Sequence, residues 1–325
     1  MMYPIHDAFR PGPVLPGPHG NRSVPTASIP RHIICRAGCP GEKPVRIAMT
    51  IDLHAHTTAS DGTLRPSELV ALAKKNRLTA VAVTDHDTLS GLEEALEAGR
   101  ELDQEVIPGC ELSVGEGKHS MHIVGLWLRP DSPRLQEALD FVIQERGNRN
   151  HKIIAKLNEL GLKIDYDEVK ALAGGTVGRP HMAQVLLRKK LVGSITEAFA
   201  KYLGNDGAAY VPRTRLSPAR ALELLRAEGG TPILAHPYLL GLTLSALEER
   251  LRELMALGLE GMEVYYTEHP NDIRRAYRGL ADRLGLLVSG GSDFHGSVKP
   301  GIFLGRGKGD LHVDDELLEI MKEYR

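Results

Sequence analysis

The chain has 325 residues, 42 % of them hydrophobic, and a formal net charge of −2. That is long enough to bury one large core or two modest ones, and the missing basic excess excludes general attraction to nucleic acid, so any affinity for phosphate must be local. Three scattered cysteines, no apolar run of about 18 residues and no apolar N-terminal stretch speak against a disulfide framework, a membrane helix and a secretory signal, so the expected location is cytoplasmic.

Residues 1–48 are rich in proline and glycine, lack hydrophobic periodicity and read as a flexible extension. Cys35 and Cys39 fall in it, with no second pair to complete a zinc site. From Ile47 onward short β-rich runs alternate with helical patterns. "RIAMTIDLH" reads as a strand, "PSELVALAKKN" as a helix starting at Pro66, "LTAVAVTD" as a strand and "GLEEALEAGREL" as a helix. "EVIPGCELSV" and "HSMHIVGLWL" read as two strands joined by a turn at Gly115 to Gly117. Between about Arg129 and Ala208 the alternation stops, and four segments with helical spacing follow one another. Ser217 and Pro218 then open the helix "PARALELLRAE", which stops at Gly229-Gly230. Strand "TPILAHP", helix "SALEERLRELMAL", strand "LEGMEVYY", helix "DIRRAYRGLADRL" and strand "GLLVSGGSD" complete the order. Repeated β-then-α units argue for a parallel barrel or sheet. The expected organisation is a first barrel part over 49–128, a helical insertion over 129–208 acting as a substrate-binding cap, and a second barrel part over 209–325.

The stretch "DLHAHTTASDG", residues 52–62, holds two histidines and two acids. Side chains two apart on a strand face the same side, so His54 and His56 can grip one ion, and Asp61 can curl back from the following loop. His86, Glu111, His122, His236, Asp293 and His295 each lie in or just after a predicted strand. Strand ends of an α/β barrel converge on one face, which would gather all nine groups at one mouth. Cys110 should point away if Glu111 points in, leaving imidazole and carboxylate ligands, which suit Mn²⁺, Zn²⁺ or Fe²⁺. Nine ligands exceed the needs of one ion, so two or three are implied. Three divalent ions against three carboxylates leave an excess of about three positive charges, and an anion such as a phosphate ester is the expected substrate. Asp52 and Asp85 are weaker candidates for orienting imidazoles from behind.

At these residues the chain resembles the PHP family, named for polymerase and histidinol phosphatase. The matching segments are "DLHAHTTASDG", "TDHDT", "PGCELS", "HIVGL", "LAHP" and "GSDFHG", over about residues 49–325. The resemblance implies a distorted, TIM-like seven-stranded β/α barrel with a trinuclear site, Mn²⁺ foremost. It assigns His54, His56, Glu111 and Asp293 to one ion, a bridging Glu111 with His122 and His236 to a second, and Asp61, His86 and His295 to a third. "VGRPHMAQVL", "AFAKYLG", "AYVP" and "GGTPILAHP" resemble the branch that removes the 3′-phosphate from nucleoside 3′,5′-bisphosphates and acts as a 5′→3′ exoribonuclease on short RNA. That likeness implies Arg179 and His181, with Arg146 after them, as side chains meeting the substrate, and Glu111, Arg179 and His181 as the catalytic set. The expected partners are a phosphorylated small molecule, a nucleotide or short RNA, with no membrane and no obligate protein partner. The rival readings are a phosphatase of the histidinol-phosphate type on the same metal site and a non-catalytic PHP module.

Overall fold

The structure is a computed structural model that describes residues 50–116, 119–172 and 177–325. The N-terminal extension, with Cys35 and Cys39, lies outside the described residues, as does part of the turn after Gly115.

Six strands form one curled sheet in chain order: β1 (Ala80–Val83), β2 (Glu105–Glu116), β3 (His119–Leu126), β4 (Thr231–Leu234), β5 (Gly261–Tyr266) and β6 (Leu287–Gly291). The sheet is not all parallel as expected: β3 runs antiparallel to both β2 and β4. Only two residues separate β2 from β3, and so short a link can join antiparallel strands but not parallel ones. The reversal matters for the site. His122 lies in the first half of β3, which would face the wrong end of a parallel strand and here shares a rim with the end of β2.

The first predicted strand is also different. Residues 50–56 make isolated bridges, Asp52 to Val81 and Ala55 to Phe294, instead of a continuous ladder. The segment still serves both sheet edges: Asp52 N donates to Ala80 O at 3.1 Å and Leu53 N to Gly290 O at 3.1 Å. The Asp52 carboxylate takes donors that a regular neighbour would occupy, from Ser292 N at 2.9 Å and Gly305 N at 2.7 Å. Gly291 allows this close approach, because a Cβ there would sit 2.5 Å from His54 N. Gly291→Ala is expected to destabilise the fold by about 2 kcal/mol through overpacking, read as a lower denaturant midpoint with an unchanged slope.

Helices cover the sheet with the apolar faces their periodicity predicts. Both α1 (Pro66–Lys75), which buries Leu69, Val70 and Ala73, and α2 (Leu92–Leu102) follow the expected boundaries. The helix α7 (Pro218–Ala227) is capped by Ser217, whose hydroxyl accepts from Arg220 N at 3.2 Å. Helices α8 (Leu244–Ala256) and α9 (Asn271–Leu284) separate the last three strands, and α10 (Glu316–Tyr324), absent from the sequence reading, packs Leu318 and Met321 into the main core.

Between β3 and β4 come α3 (Pro133–Glu159), α4 (Tyr166–Lys170), α5 (Arg179–Arg188) and α6 (Ile195–Ala198), the last continuing as a π-helical turn over Phe199–Leu203. Leu135 and Leu139 of α3 join the main core, whereas Ile153 and Leu157, about four turns further on, join a second apolar cluster with Met182, Leu186 and Leu203. The long helix therefore ties the two clusters together. No helix among the described residues is long and apolar enough to cross a membrane.

Candidate metal centre

Glu111 stands at the centre of the rim, buried on β2. Its Oε1 lies 2.9 Å from His122 Nδ1 and 2.8 Å from His236 Nε2. Its Oε2 lies 3.3 Å from His54 Nε2, 3.3 Å from His56 Nε2 and 3.0 Å from His86 Nδ1. Five imidazoles from four parts of the chain thus meet one carboxylate. On one flank, Asp293 Oδ1 is 3.3 Å from His56 Nε2 and 3.7 Å from His54 Nε2. On another, Asp61 Oδ1 is 3.3 Å from His295 Nε2 and 3.6 Å from His56 Nδ1, while His86 Nε2 comes within 3.9 Å of Asp61 Oδ2. All nine side chains singled out from the sequence are brought together. His86 reaches both Glu111 and Asp61, so the geometry alone does not divide the nine into separate sets.

The chemistry of the cluster fits divalent cations. His54 Nε2, both ring nitrogens of His56, His86 Nδ1 and Glu111 Oε2 are buried with no hydrogen-bond partner among the described residues. Each such atom costs about 1–3 kcal/mol unless something satisfies it. Four overlapping groups of ligand atoms lie within 4.8 Å of one another: His56, Asp61, His86 and His295; His54, His56 and Asp293; His54, Glu111 and His236; His86, Glu111 and His122. Burial pushes the Glu111 carboxyl up, but His86, His122 and His54 around it outweigh this and hold it well below the usual range. Burial likewise lowers His56, and Asp293 and Glu111 beside it outweigh that, raising it to about 9. The acids draw positive charge into this space.

Hydrogen bonds behind the cluster set the tautomers. His54 Nδ1 donates to Glu263 Oε1 at 3.1 Å and His295 Nδ1 to the Asp293 carbonyl at 2.8 Å, which turns the Nε2 of each inward as the nitrogen a cation would take. Glu263 also accepts from His236 N at 2.6 Å, so one buried carboxylate on β5 fixes a side chain and a backbone. Tyr266 Oη at 3.1 Å and Lys299 Nζ at 2.6 Å both donate to Asp293 Oδ2, leaving Oδ1 to face the histidines. His236 and Asp293 adopt left-handed backbone conformations, with φ of 28° and 55°, which non-glycine residues hold only where surrounding contacts enforce it.

The sequence reading missed Glu263, Tyr266 and Lys299, and it misplaced Asp52 and Asp85. Neither aspartate touches an imidazole. Asp52 binds backbone as described above, and Asp85 accepts from Thr57 N at 2.8 Å, Thr57 Oγ1 at 2.7 Å and Ser60 Oγ at 2.6 Å, securing the loop that carries Asp61. Cys110 behaves as expected, its thiol turned away and donating to Asp85 O at 3.3 Å. The signal for Glu263 was an acid inside the apolar run "GMEVYY". Glu263→Gln is expected to weaken divalent-ion affinity by about 10- to 100-fold, checked by titrating Mn²⁺ into the metal-stripped protein.

Above the cluster opens a cavity of about 880 Å³, floored in part by Asp61, His86 and His122. Arg146 of α3, Arg179 and His181 of α5 all line it, together with three arginines the sequence reading passed over: Arg149, Arg213 and Arg215. Arg213 and Arg215 sit two apart on an extended segment next to β2, where Gly115 N donates to Leu216 O at 3.0 Å, so both point to one side. That spacing was the overlooked signal. Burial lowers Arg149, and the neighbouring Arg179, Arg215 and Arg146 add to the effect, leaving it at about 10 despite Tyr210. Arg213 is lowered to about 10 in the same way, by burial and then Arg146, against the pull of Asp87. Arginines crowded enough to depress one another call for an anion between them. His181 Nδ1 accepts from Gly178 N at 3.1 Å, capping α5, and burial lowers its pKa. It is therefore a neutral Nε2–H donor at pH 7.

The PHP domain profile matches residues 52–211. The chain is 36 % identical over 244 residues to a 5′-3′ exoribonuclease of Haemophilus influenzae, covering 75 % of this chain and 89 % of that protein. It is 34 % identical over 249 residues to a 3′,5′-nucleoside bisphosphate phosphatase of Chromobacterium violaceum, covering 75 % and 87 % respectively. Among solved structures, a protein from Bifidobacterium adolescentis described as a metal-dependent phosphoesterase superposes with a TM-score of 0.69 at 30 % identity, covering 84 % of this chain and 95 % of that one.

Proposed function

The chain belongs to the PHP domain family and is a metal-dependent phosphoesterase, and from that premise we propose that it removes the 3′-phosphate of nucleoside 3′,5′-bisphosphates and acts 5′→3′ on short RNA. The observation that carries this reading is the arginine wall facing the Glu111 cluster across one cavity. Such a site suits a substrate with two separated anionic groups. Histidinol phosphate carries one phosphate and, at its other end, an ammonium that these arginines would repel.

In this reading His54, His56, Glu111 and Asp293 hold one ion, Glu111 with His122 and His236 a second, and Asp61, His86 and His295 a third. Mn²⁺ is the expected metal, with Zn²⁺ or Fe²⁺ as alternatives. Bound divalent ions supply Lewis acidity and lower the pKa of water toward neutrality. The chain's own groups do the rest. Glu111, Glu263 and the Asp293 clamp keep the ligand atoms aimed inward, Arg179 and its neighbours bind and orient the phosphates, and His181 donates a hydrogen bond without giving up a proton. The curled sheet, with residues 50–56 between its edges, serves as a distorted seven-stranded β/α barrel, and the helices of 129–208 serve as the cap that carries Arg146, Arg149 and Arg179 over the site.

Phosphate release with Mn²⁺ from a nucleoside 3′,5′-bisphosphate and from histidinol phosphate tests the reading. The bisphosphate is expected to react faster, and the opposite order overturns the assignment. No phosphate release from any ester would favour the non-catalytic module.

A further inference from the structure

Asp87 stands beside His86 but belongs to none of the metal-prone groups. It is buried, and its backbone is held at a left-handed φ of 51°. Four bonds account for that conformation. Its N donates to Glu111 O at 3.0 Å, its Oδ1 accepts from Ser113 N at 2.8 Å, and its Oδ2 accepts from Arg146 Nη2 at 2.8 Å and Arg213 Nη2 at 3.0 Å. One carboxylate therefore joins α3 and the extended segment before α7, through Oδ2, to the strand that carries Glu111, through Oδ1.

We infer that Asp87 is a specificity-positioning residue, which ties Arg146 and Arg213 to the rim so that their remaining N–H groups face the substrate phosphate distant from the metal centre. Each guanidinium has five donors in a rigid fork and spends one on Asp87. Without the carboxylate, the two cations that share Asp87 Oδ2 would repel each other, since Arg146 stands close enough to lower Arg213. A bound dianion would then have to gather two mobile side chains, which raises the cost of binding without touching the reacting atoms. The strained backbone at Asp87 is what this double duty requires, because it turns one carboxylate toward both β2 and the wall.

The inference rests on the bisphosphate reading above, and the experiment separates the two. Asp87→Asn keeps the side chain's shape and removes its charge. With the intact, Mn²⁺-loaded protein and a nucleoside 3′,5′-bisphosphate, KM is expected to rise about tenfold, the loss of a charge-assisted contact, with kcat changed far less and metal content per chain unchanged. Asp87→Glu should recover part of the loss. The double variants with Arg146→Met and with Arg213→Met decide whether the effect runs through the arginines: the Asp87→Asn penalty should shrink in each background. Additive penalties, or loss of bound metal in Asp87→Asn, would overturn the inference by placing the effect at His86 or in the fold. A wild-type protein that ignored the bisphosphate would overturn the functional reading, and the inference with it.

Discussion

Glu111→Gln is expected to lower metal-dependent phosphate release by about three orders of magnitude or more, the largest effect of any single substitution in the chain. The reason is geometric. Among the described residues, Glu111 is the only carboxylate that reaches both groups of histidines, with Oε1 at 2.8–2.9 Å from His236 and His122 and Oε2 at 3.0–3.3 Å from His86, His54 and His56. An amide there withdraws one negative charge and turns an NH₂ toward nitrogens whose lone pairs point inward. Metal content per chain should fall together with turnover, and the denaturant midpoint of the metal-free protein should fall as well, because the buried histidines that hold Glu111 ionised lose their counter-charge. Full metal content and unaltered turnover in the variant would show that Glu111 is not the shared ligand.

Arg179→Met is expected to reduce kcat/KM for the bisphosphate by about 30- to 100-fold, the second largest effect, as befits a lost charge-assisted pair of hydrogen bonds to phosphate. Arg179 is preorganised for that role. Its Nη1 donates to Leu203 O at 2.8 Å and to Asn205 Oδ1 at 3.3 Å, and its guanidinium lies 6.0 Å from the Phe199 ring centroid. The π-helical turn at Phe199–Leu203 thus braces a side chain that starts α5. The ratio of bisphosphate to p-nitrophenyl phosphate turnover is the sharper readout, since the small ester has no second phosphate to lose. A ratio equal to that of wild type would reduce Arg179 to a solvated helix-start arginine.

The metal-prone cluster was legible in the sequence because its members, Asp61 on the loop after His56 apart, sit in or just after predicted strands, and strand ends of an α/β unit share one rim. His54 and His56 add the two-residue period that places neighbours on one side. His122 was found for an incomplete reason. It reaches the rim only because β3 is reversed: the turn to β2 is visible in the sequence, but the place it gives His122 on the rim is not. The supporting shell was much less legible. Glu263 lies in an apolar strand and reads as an ordinary core position with one acid, and its meaning appears only when His54, 209 residues away, is placed against it. Asp52 and Asp85 drew attention by lying close to histidines in sequence, yet their carboxylates serve backbone and hydroxyl groups. Proximity along the chain was the wrong criterion. Arg149, Arg213 and Arg215 were hidden for a different reason: a solvated helix face and a loop carry arginines routinely, and only the cavity between them turns separate charges into a wall. The helical stretch between β3 and β4 was readable in its periodicity, but not in the way α3 divides its apolar face between two clusters.

We propose that the rim of the curled sheet gathers separate imidazoles and carboxylates around Glu111 into a seat for more than one divalent ion. Anomalous diffraction from crystals of the Mn²⁺-loaded protein tests it most directly. Two or more peaks within ligand distance of the Glu111 carboxylate and its surrounding histidines are predicted, and density showing no ion in contact with Glu111 would contradict the account.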